Sequence, residues 1–300
     1  LQLNLGEAYA YETDISKGIL PKLYNTDGTE LLKNQTDIFL EDKVDLNIEQ
    51  VEAEKRNTTE AEISILINNP QEVEITKIEI EDMNCEITRN VTQNGQTSIT
   101  VRATPNRYYD SYKITNIKYK IGEEEKEQVV EAKVDIQFYK EIYSYEDWQT
   151  IEEGTYQNYR LMADIDFSGK SDMKHNITVN RLEAENQTYT LKNIELTFQQ
   201  VNTGLINEVR NSIKNIKFEN ITLTNIANFG NYSGIIAVNS GNVENLKFSH
   251  ITIKAPKVNY VGMIGGYQGQ GVKHIELQDI YIEAYNNVGG LIGRQGSIST

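Results

Sequence analysis

The 300-residue chain is poor in the residues that most often carry chemistry: one cysteine, four prolines, three histidines and one tryptophan. A lone thiol, Cys85, closes no internal disulfide. No histidine precedes a glutamate and no two stand four residues apart. His175, His250 and His274 therefore cannot form a His-Glu-x-x-His zinc helix, whose imidazoles must share one face. Positive charge is also scarce, with 29 Lys and Arg against 44 Asp and Glu, a net charge of −15. That balance argues against nucleic acid, whose phosphates need a basic stripe, and against an anionic membrane surface. No apolar run reaches the about 18 residues needed to span a bilayer. Catalytic residues, bound cofactors and metal ligands are thus not expected in this segment.

What remains is a hydrophobic fraction of 38% and an aromatic fraction dominated by 18 tyrosines. That is enough for a core, and the length allows about two ordinary domains. Residues 1–36 carry turn residues between Gly6 and Gly28 and no clear period, and read as the end of a preceding unit or an extra hairpin. From about Asp37 to residue 141, apolar and polar residues alternate, as in Ile63-Ser-Ile65-Leu-Ile67, Val73 to Ile80, Ile99-Thr-Val101, Ile114 to Tyr119 and Val129 to Phe138. Period two buries one face of a strand. Turn signals at Asn68-Asn-Pro70, Asn94-Gly95, Thr104-Pro105-Asn106 and Gly122 separate the runs, which predicts an immunoglobulin-like β-sandwich over 37–141. Asn94-Gly95 is the best hairpin turn, and the acidic run Glu123–Glu127 reads as a solvated turn. Cys85 has no histidine in its domain to act as a base, and reads as a buried strand residue or an inert surface thiol.

Ser144-Tyr-Glu-Asp147 predicts a helix start through a capping box. Trp148 and Ile151 share a face of a short helix ending at Gly154, and Leu161, Ala163, Ile165 and Phe167 then alternate as a strand. Helix and strand together would cap a stacked β-structure, with Trp148 as packing anchor. Asp164 and Asp166 share the polar side of that strand; without calcium-loop spacing they read as a solvated face.

The segments Gly204-Leu-Ile206, Gly234-Ile-Ile236, Gly262-Met-Ile264 and Gly290-Leu-Ile292 recur every 28–30 residues. Between them Ile213, Ile216, Phe218, Ile221 and Leu223 repeat, at identical spacing, as Val243, Leu246, Phe248, Ile251 and Ile253, and again as Val272, Ile275, Leu277, Ile280 and Ile282. Three short strands per unit describe a coil of a parallel β-helix, here expected to be right-handed and to occupy 142–300 behind its helix cap. The glycines are expected at corners needing positive φ. Asn215, Asn245, His274 and His250 are expected as polar corner residues. Gly265-Gly-Tyr-Gln-Gly269-Gln-Gly271 lacks the Lys-Ser/Thr of a phosphate loop and reads as an enlarged corner. Because Gly290 opens another repeat, the segment is expected to belong to a longer protein. Tyr232, Tyr260, Tyr267 and Tyr285 fall at or near coil corners and are the best candidates for a partner-binding surface.

The stretches Tyr260-Val-Gly262-Met-Ile-Gly265 and Val288-Gly-Gly290-Leu-Ile-Gly293 resemble the GLUG repeat of bacterial surface proteins. Tyr145-Glu-Asp-Trp148, with Asn158-Tyr-Arg-Leu-Met-Ala-Asp-Ile-Asp-Phe-Ser-Gly169, resembles the segment leading into those repeats in IgA1-specific and related Zmp-type zinc metallopeptidases of Gram-positive bacteria. The resemblance covers about residues 140–300. It implies a non-catalytic N-terminal region, exported and held at the cell surface or wall, that presents substrate to a zinc domain lying downstream. Its partners would be a host protein such as immunoglobulin, or a glycan. The repeats fit equally an adhesin or stalk with no protease attached. A polysaccharide-cleaving β-helix is disfavoured, since Glu219, Glu244 and Glu276 do not recur in register as a carboxylate pair.

Overall fold

A computed structural model describes residues 9–10, 23–24, 44–269 and 271–296. The chain divides into two compact units, 1–44 and 45–300. In the first, β1 (Tyr9–Ala10) pairs antiparallel with β2 (Leu23–Tyr24). The expected turn segment Gly6–Gly28 otherwise lies outside the described residues, as does the expected strand onset from Asp37 to residue 43.

The second unit is almost entirely β: antiparallel sheets followed by a parallel β-solenoid of about four turns. β3 (Asn47–Lys55), β4 (Ala61–Asn68), β6 (Met83–Gln93) and β7 (Gln96–Pro105) form one antiparallel sheet in the order β3-β4-β7-β6; β5 (Glu74–Ile80), β8 (Tyr112–Ile121) and β9 (Glu124–Val134) form a second, in the order β5-β8-β9. Alternation drives both. Ile63, Ile65, Ile67, Ile99 and Val101 are buried in the first sheet; Ile75, Ile78, Ile114 and Ile117 are buried in the second. Asn94 (φ 54°) and Gly95 (φ 73°) make the β6–β7 turn, as Asn-Gly favours. The acidic run differs from expectation: the turn is confined to Gly122–Glu123, and Glu124 already opens β9. Its acids face water from an exposed strand whose partner β8 offers lysines, Glu127 standing opposite Lys118 and Glu125 opposite Lys120.

The solenoid begins with β10 (Lys140–Ile142), α1 (Tyr145–Gln149), β11 (Asn158–Leu161) and β12 (Ile165–Asp166). Ser144 caps α1 by accepting from the Asp147 amide at 3.1 Å; Asp147 accepts in return from the Tyr143 amide at 2.9 Å, one residue before the cap. The helix ends at Gln149, short of Gly154. Trp148 is fully buried, packs edge-on against Phe167 at 5.6 Å, and donates its indole N–H to the Lys174 carbonyl at 2.8 Å. The expected continuous strand from Leu161 to Phe167 is instead two strands broken at a corner. Leu161, Ile165 and Phe167 still point inward, while Ala163 is only half-buried.

β13 (Ile177–Glu183), β14 (Tyr189–Phe198), β15 (Asn202–Asn225), β16 (Gly230–Asn239), β17 (Asn242–Ala255), β18 (Val258–Val261), β19 (Ile264–Tyr267), β20 (Val272–Ala284), β21 (Asn287–Val288) and β22 (Ile292–Gln295) continue the winding, every coil-to-coil pairing parallel. Equivalent residues stack in register. One inward row runs Leu191, Phe218, Phe248, Leu277; another runs Ile177, Ile206, Ile236, Ile264, Ile292. The Phe218 and Phe248 rings lie 5.2 Å apart and 9° from parallel. Each fully buried member of these rows contributes about 1.5–3 kcal/mol; Leu277 and Ile292, on the last described coil, are exposed and half-buried respectively.

The corners correct the expected role of the glycines. Gly204 and Gly234 are not in the positive-φ region. They are required because a Cβ at Gly204 would lie 2.5 Å from the carbonyl oxygen of Gly234 in the next coil, and one at Gly234 would be tighter still against Gly262. Positive φ falls instead to two columns of polar residues: Asn193, Asn220, His250 and Asp279, and Asn215, Asn245 and His274, all with φ between 52° and 60°. Asparagine tolerates this conformation. It also bonds along the column, Asn245 Nδ2 donating to Asn215 Oδ1 at 2.9 Å and Asn220 Nδ2 to Asn193 Oδ1 at 2.7 Å. A single left-handed residue turns the chain without interrupting the strand, so β15 runs 24 residues across two corners.

The loop before β8 ties the antiparallel sheets to the solenoid through one carboxylate. Asp110 accepts from Arg181 Nε at 2.8 Å, Asn211 Nδ2 at 2.7 Å, Asn158 and Asn180 Nδ2 at 3.1 Å each, and Gln137 Nε2. Partial burial pushes this carboxyl up, but the donors, Arg181 and Gln137 foremost, outweigh it and bring it down to about 2, from an ordinary 3.8. The folded value being the lower one, its contribution is complete above the ordinary value and fades as pH falls from about 4 towards 2. Asp110→Ala should lower unfolding free energy at pH 7 by about 2–3 kcal/mol, the scale for hydrogen bonds to a charged group. Urea unfolding at pH 7 and pH 2.5 checks this: the gap between variant and parent should narrow at the lower pH.

Candidate tyrosine cleft

In each coil a tyrosine or asparagine stands two residues before the repeated glycine, or at the register-equivalent position. The resulting outward row is Asn202, Tyr232, Tyr260, Asn287. The next residues, Ser233 and Val261, point inward and are buried, so period two turns both tyrosines outward. Parallel register then stacks them, with ring centroids 5.4 Å apart and planes 28° from parallel.

A second outward row, further along each coil, runs Glu208, Val238, Gly266, Arg294. Gly266 leaves a gap in that row, and the Tyr232 ring lies over it: a Cβ there would meet Tyr232 Cε1 at 2.8 Å. Arg294, one coil further on, reaches back over the Tyr260 ring to the Tyr232 hydroxyl. Its Cζ lies 4.9 Å from the Tyr260 centroid, and its Nη1 donates to the Tyr232 hydroxyl at 3.3 Å. A guanidinium over a tyrosine face gains from the ring quadrupole. Tyr232, Val238, Gly266, Tyr267, Gln268, Arg294 and Gly296 line a cleft of about 210 Å3; Tyr260 lies outside that lining, stacked on Tyr232 and beneath Arg294.

Tyr267 is 4% exposed. Its hydroxyl is buried and makes no hydrogen bond among the described residues, and burial raises its pKa, with the Gly271 backbone opposing. It supplies a wall of the cleft and not a free hydroxyl. Tyr285 is not part of this group. It is 68% exposed, in the turn after β20, tied by its amide to the Val258 carbonyl at 2.9 Å. The structure thus brings together three of the four expected tyrosines. It adds Arg294 and Gly266, which the register of the repeat could have revealed, since each follows the glycine that closes its motif.

The other expected positions lie apart from the cleft. His250 and His274 stand at corners, and His175 packs edge-on against Phe198 at 5.2 Å. Asp166 accepts from Ser168 Oγ at 2.6 Å and Asn193 Nδ2 at 2.9 Å, contacts that lower its pKa to about 2; Asp164 accepts from the Thr190 amide at 2.7 Å. Burial pushes the Cys85 thiol up to about 11, which keeps it protonated and unreactive at neutral pH. Among the described residues no group of three or more His, Cys, Asp or Glu is placed to hold a metal ion.

Gly266→Ala should displace the Tyr232 ring and open the stacked pair. Overpacking of this kind costs about 1–3 kcal/mol. Near-ultraviolet circular dichroism should lose tyrosine signal while the far-ultraviolet spectrum is unchanged. Retention of the parent near-ultraviolet spectrum would show that the ring does not lie on Gly266. Neither a protein-family model, nor a curated protein, nor a solved structure matches this chain.

Proposed function

We propose that the chain is a non-catalytic recognition scaffold of a bacterial surface protein, in which stacked coils hold the Tyr232–Tyr267–Arg294 cleft, with Tyr260 stacked against it, for a protein or glycan partner. The observation that carries this reading is the register of the two outward tyrosines, one beneath the Arg294 guanidinium and the other bonded to it. Stacked phenol rings offer a flat apolar face with polar tips, which suits the faces of sugar rings and of aromatic or proline side chains. The guanidinium and Gln268 beside them supply directional donors. A cleft of about 210 Å3 is smaller than the roughly 300–1,000 Å3 of drug-sized ligand sites, and accommodates one sugar ring or one side chain of a larger partner.

Within this reading, the solenoid is a capped, right-handed GLUG-type β-helix and the antiparallel sheets are an immunoglobulin-like sandwich. The stretch from Tyr145 to Gly169 and the repeats favour the substrate-presenting region of a zinc metallopeptidase of the IgA1-protease kind, with zinc held in a downstream domain. The second reading, an adhesin or stalk, uses the same cleft for attachment to a host protein or glycan.

Binding of the 300-residue chain to immunoglobulin A1 and to a glycan array tests the shared claim. Tyr232→Ala and Tyr260→Ala should each weaken the parent's binding by about tenfold or more, as aromatic anchors do, while Tyr285→Ala leaves it unchanged. The chain alone should release no peptide from immunoglobulin. Equal binding by parent and both cleft variants would refute the assignment of the cleft. Immunoglobulin binding supports the peptidase reading, and glycan binding without it supports the adhesin.

A further inference from the structure

A second concavity, of about 330 Å3, lies where the turn after β3 faces the first coils, lined by Lys55, Arg56, Asn57, Thr58, Tyr139, Glu141, Arg160 and Glu185. Its hydrogen-bonding capacity is unevenly spent. Both acids are engaged: Glu185 accepts from Arg160 Nη1 at 2.8 Å, and Glu141 from the Tyr143 hydroxyl at 2.7 Å. Arg56 is bound to Glu62. Asn57 uses its carbonyl oxygen within its own turn, accepting from the Thr59 amide at 2.8 Å, which leaves its Nδ2 hydrogens free. Lys55 has no carboxylate within ion-pair distance among the described residues; its Nζ instead lies 5.2 Å over the buried Phe138 ring. Arg160 lies similarly over Tyr139, 4.3 Å from the centroid.

What is left over is therefore donors: the Lys55 ammonium, the outer guanidinium N–H groups of Arg160, the Asn57 amide and the Thr58 hydroxyl. The lining carries three cations and two acids, but Arg56 is spent on Glu62 and Arg160 on Glu185, so Lys55 is the one lining cation without a carboxylate partner among the described residues. Loss of water against the ring, and then the nearby Arg160, lower the Lys55 pKa, with Glu185 only partly opposing. A neighbouring anion would oppose this lowering by attraction to the ammonium.

We propose that this cleft binds a singly charged oxyanion group, with Lys55 and Arg160 as its ion-pair partners and Asn57 and Thr58 as neutral donors. One unpartnered cation favours a monoanion over a dianion, since Glu141 and Glu185 repel a second negative charge. Carboxylated sugars, acidic peptide side chains and sulfate esters share this chemistry. The site is independent of the tyrosine cleft, which lies on later coils and shares no residue with it.

The test is a titration of the isotope-labelled 300-residue chain, at constant ionic strength and pH 8, with sodium glucuronate, methyl sulfate and inorganic phosphate, reading amide and side-chain chemical shifts. Saturable shifts centred on Lys55, Asn57, Thr58 and Arg160 are expected with glucuronate or methyl sulfate, and weaker ones with phosphate, a dianion at that pH. Preference between the first two probes distinguishes a carboxylate from a sulfate source. Lys55→Met should weaken the binding about tenfold or more, the scale of one charge-assisted hydrogen bond. Lys133→Met, which removes a charge elsewhere on the antiparallel sheets, should leave it intact. Shifts that rise linearly with every salt, or that saturate equally in Lys55→Met, would overturn the proposal.

Discussion

Register between coils is the constraint on which the rest depends. A solenoid coil has no core of its own; each inward side chain is covered by its equivalents one coil before and after. The row Leu191, Phe218, Phe248, Leu277 works only because β14, β15, β17 and β20 align residue for residue. A one-residue slip would turn each inward row outward. The corner columns fix that register. Asparagine at positive φ turns the chain and bonds to the asparagine below, while Gly204 and Gly234 let neighbouring backbones approach closer than any side chain permits.

The same register builds the surface. What stacks inward as aliphatic rows stacks outward as rows of polar or aromatic groups. Two tyrosines in equivalent positions must meet, and an arginine one coil on can reach over one ring to the hydroxyl of the other. The cleft is thus rigid because its floor is the core, a useful property where binding must not first order the site. The antiparallel sheets are fastened to this scaffold by Asp110, whose five donors come from Gln137 and from successive coils at Asn158, Asn180, Arg181 and Asn211. Beside that fastening, the Lys55–Arg160 cleft shows how an acidic chain can keep one local excess of donors.

Much of the solenoid was legible because its repeat is chemically strict: aliphatic or Phe residues at five positions and glycine at a sixth. The earlier coils, from Lys140 to Phe198, obey the same geometry with Tyr159, Leu161, Ile165 and Leu182 inside, but lack the glycine motif and so carry no visible period. The polar strands β3 and β6 escaped notice because each lies at an end of its sheet and exposes most of its residues. The glycines were assigned a conformational role when their role is proximity, which only a stacked neighbour reveals. Asp110 and its partners stand up to 101 residues apart in sequence, and no local pattern connects them. Tyr232 and Tyr267 of the cleft, and Tyr260 stacked beside it, were singled out as lying at or near corners, whereas the structure sets all three in strands. Arg294 was not singled out, although its place after the closing glycine of the repeat marks it, since a cation becomes a partner of tyrosine only once the coils are superposed; Tyr285 shares the corner chemistry without sharing the row.

The most direct test of coil register is a disulfide between two outward residues that β15 and β17 place side by side, Thr222 and Thr252. Parallel strands lie about 4.8 Å apart, within the about 4.4–6.8 Å between Cα atoms that a disulfide spans. In a Cys85→Ser background, Thr222→Cys with Thr252→Cys should close an intramolecular bond under mild oxidation and raise the melting temperature. The offset pair Thr224→Cys with Thr252→Cys should remain largely reduced. Ready closure of the offset pair, with none in the aligned one, would contradict the stacked-coil account.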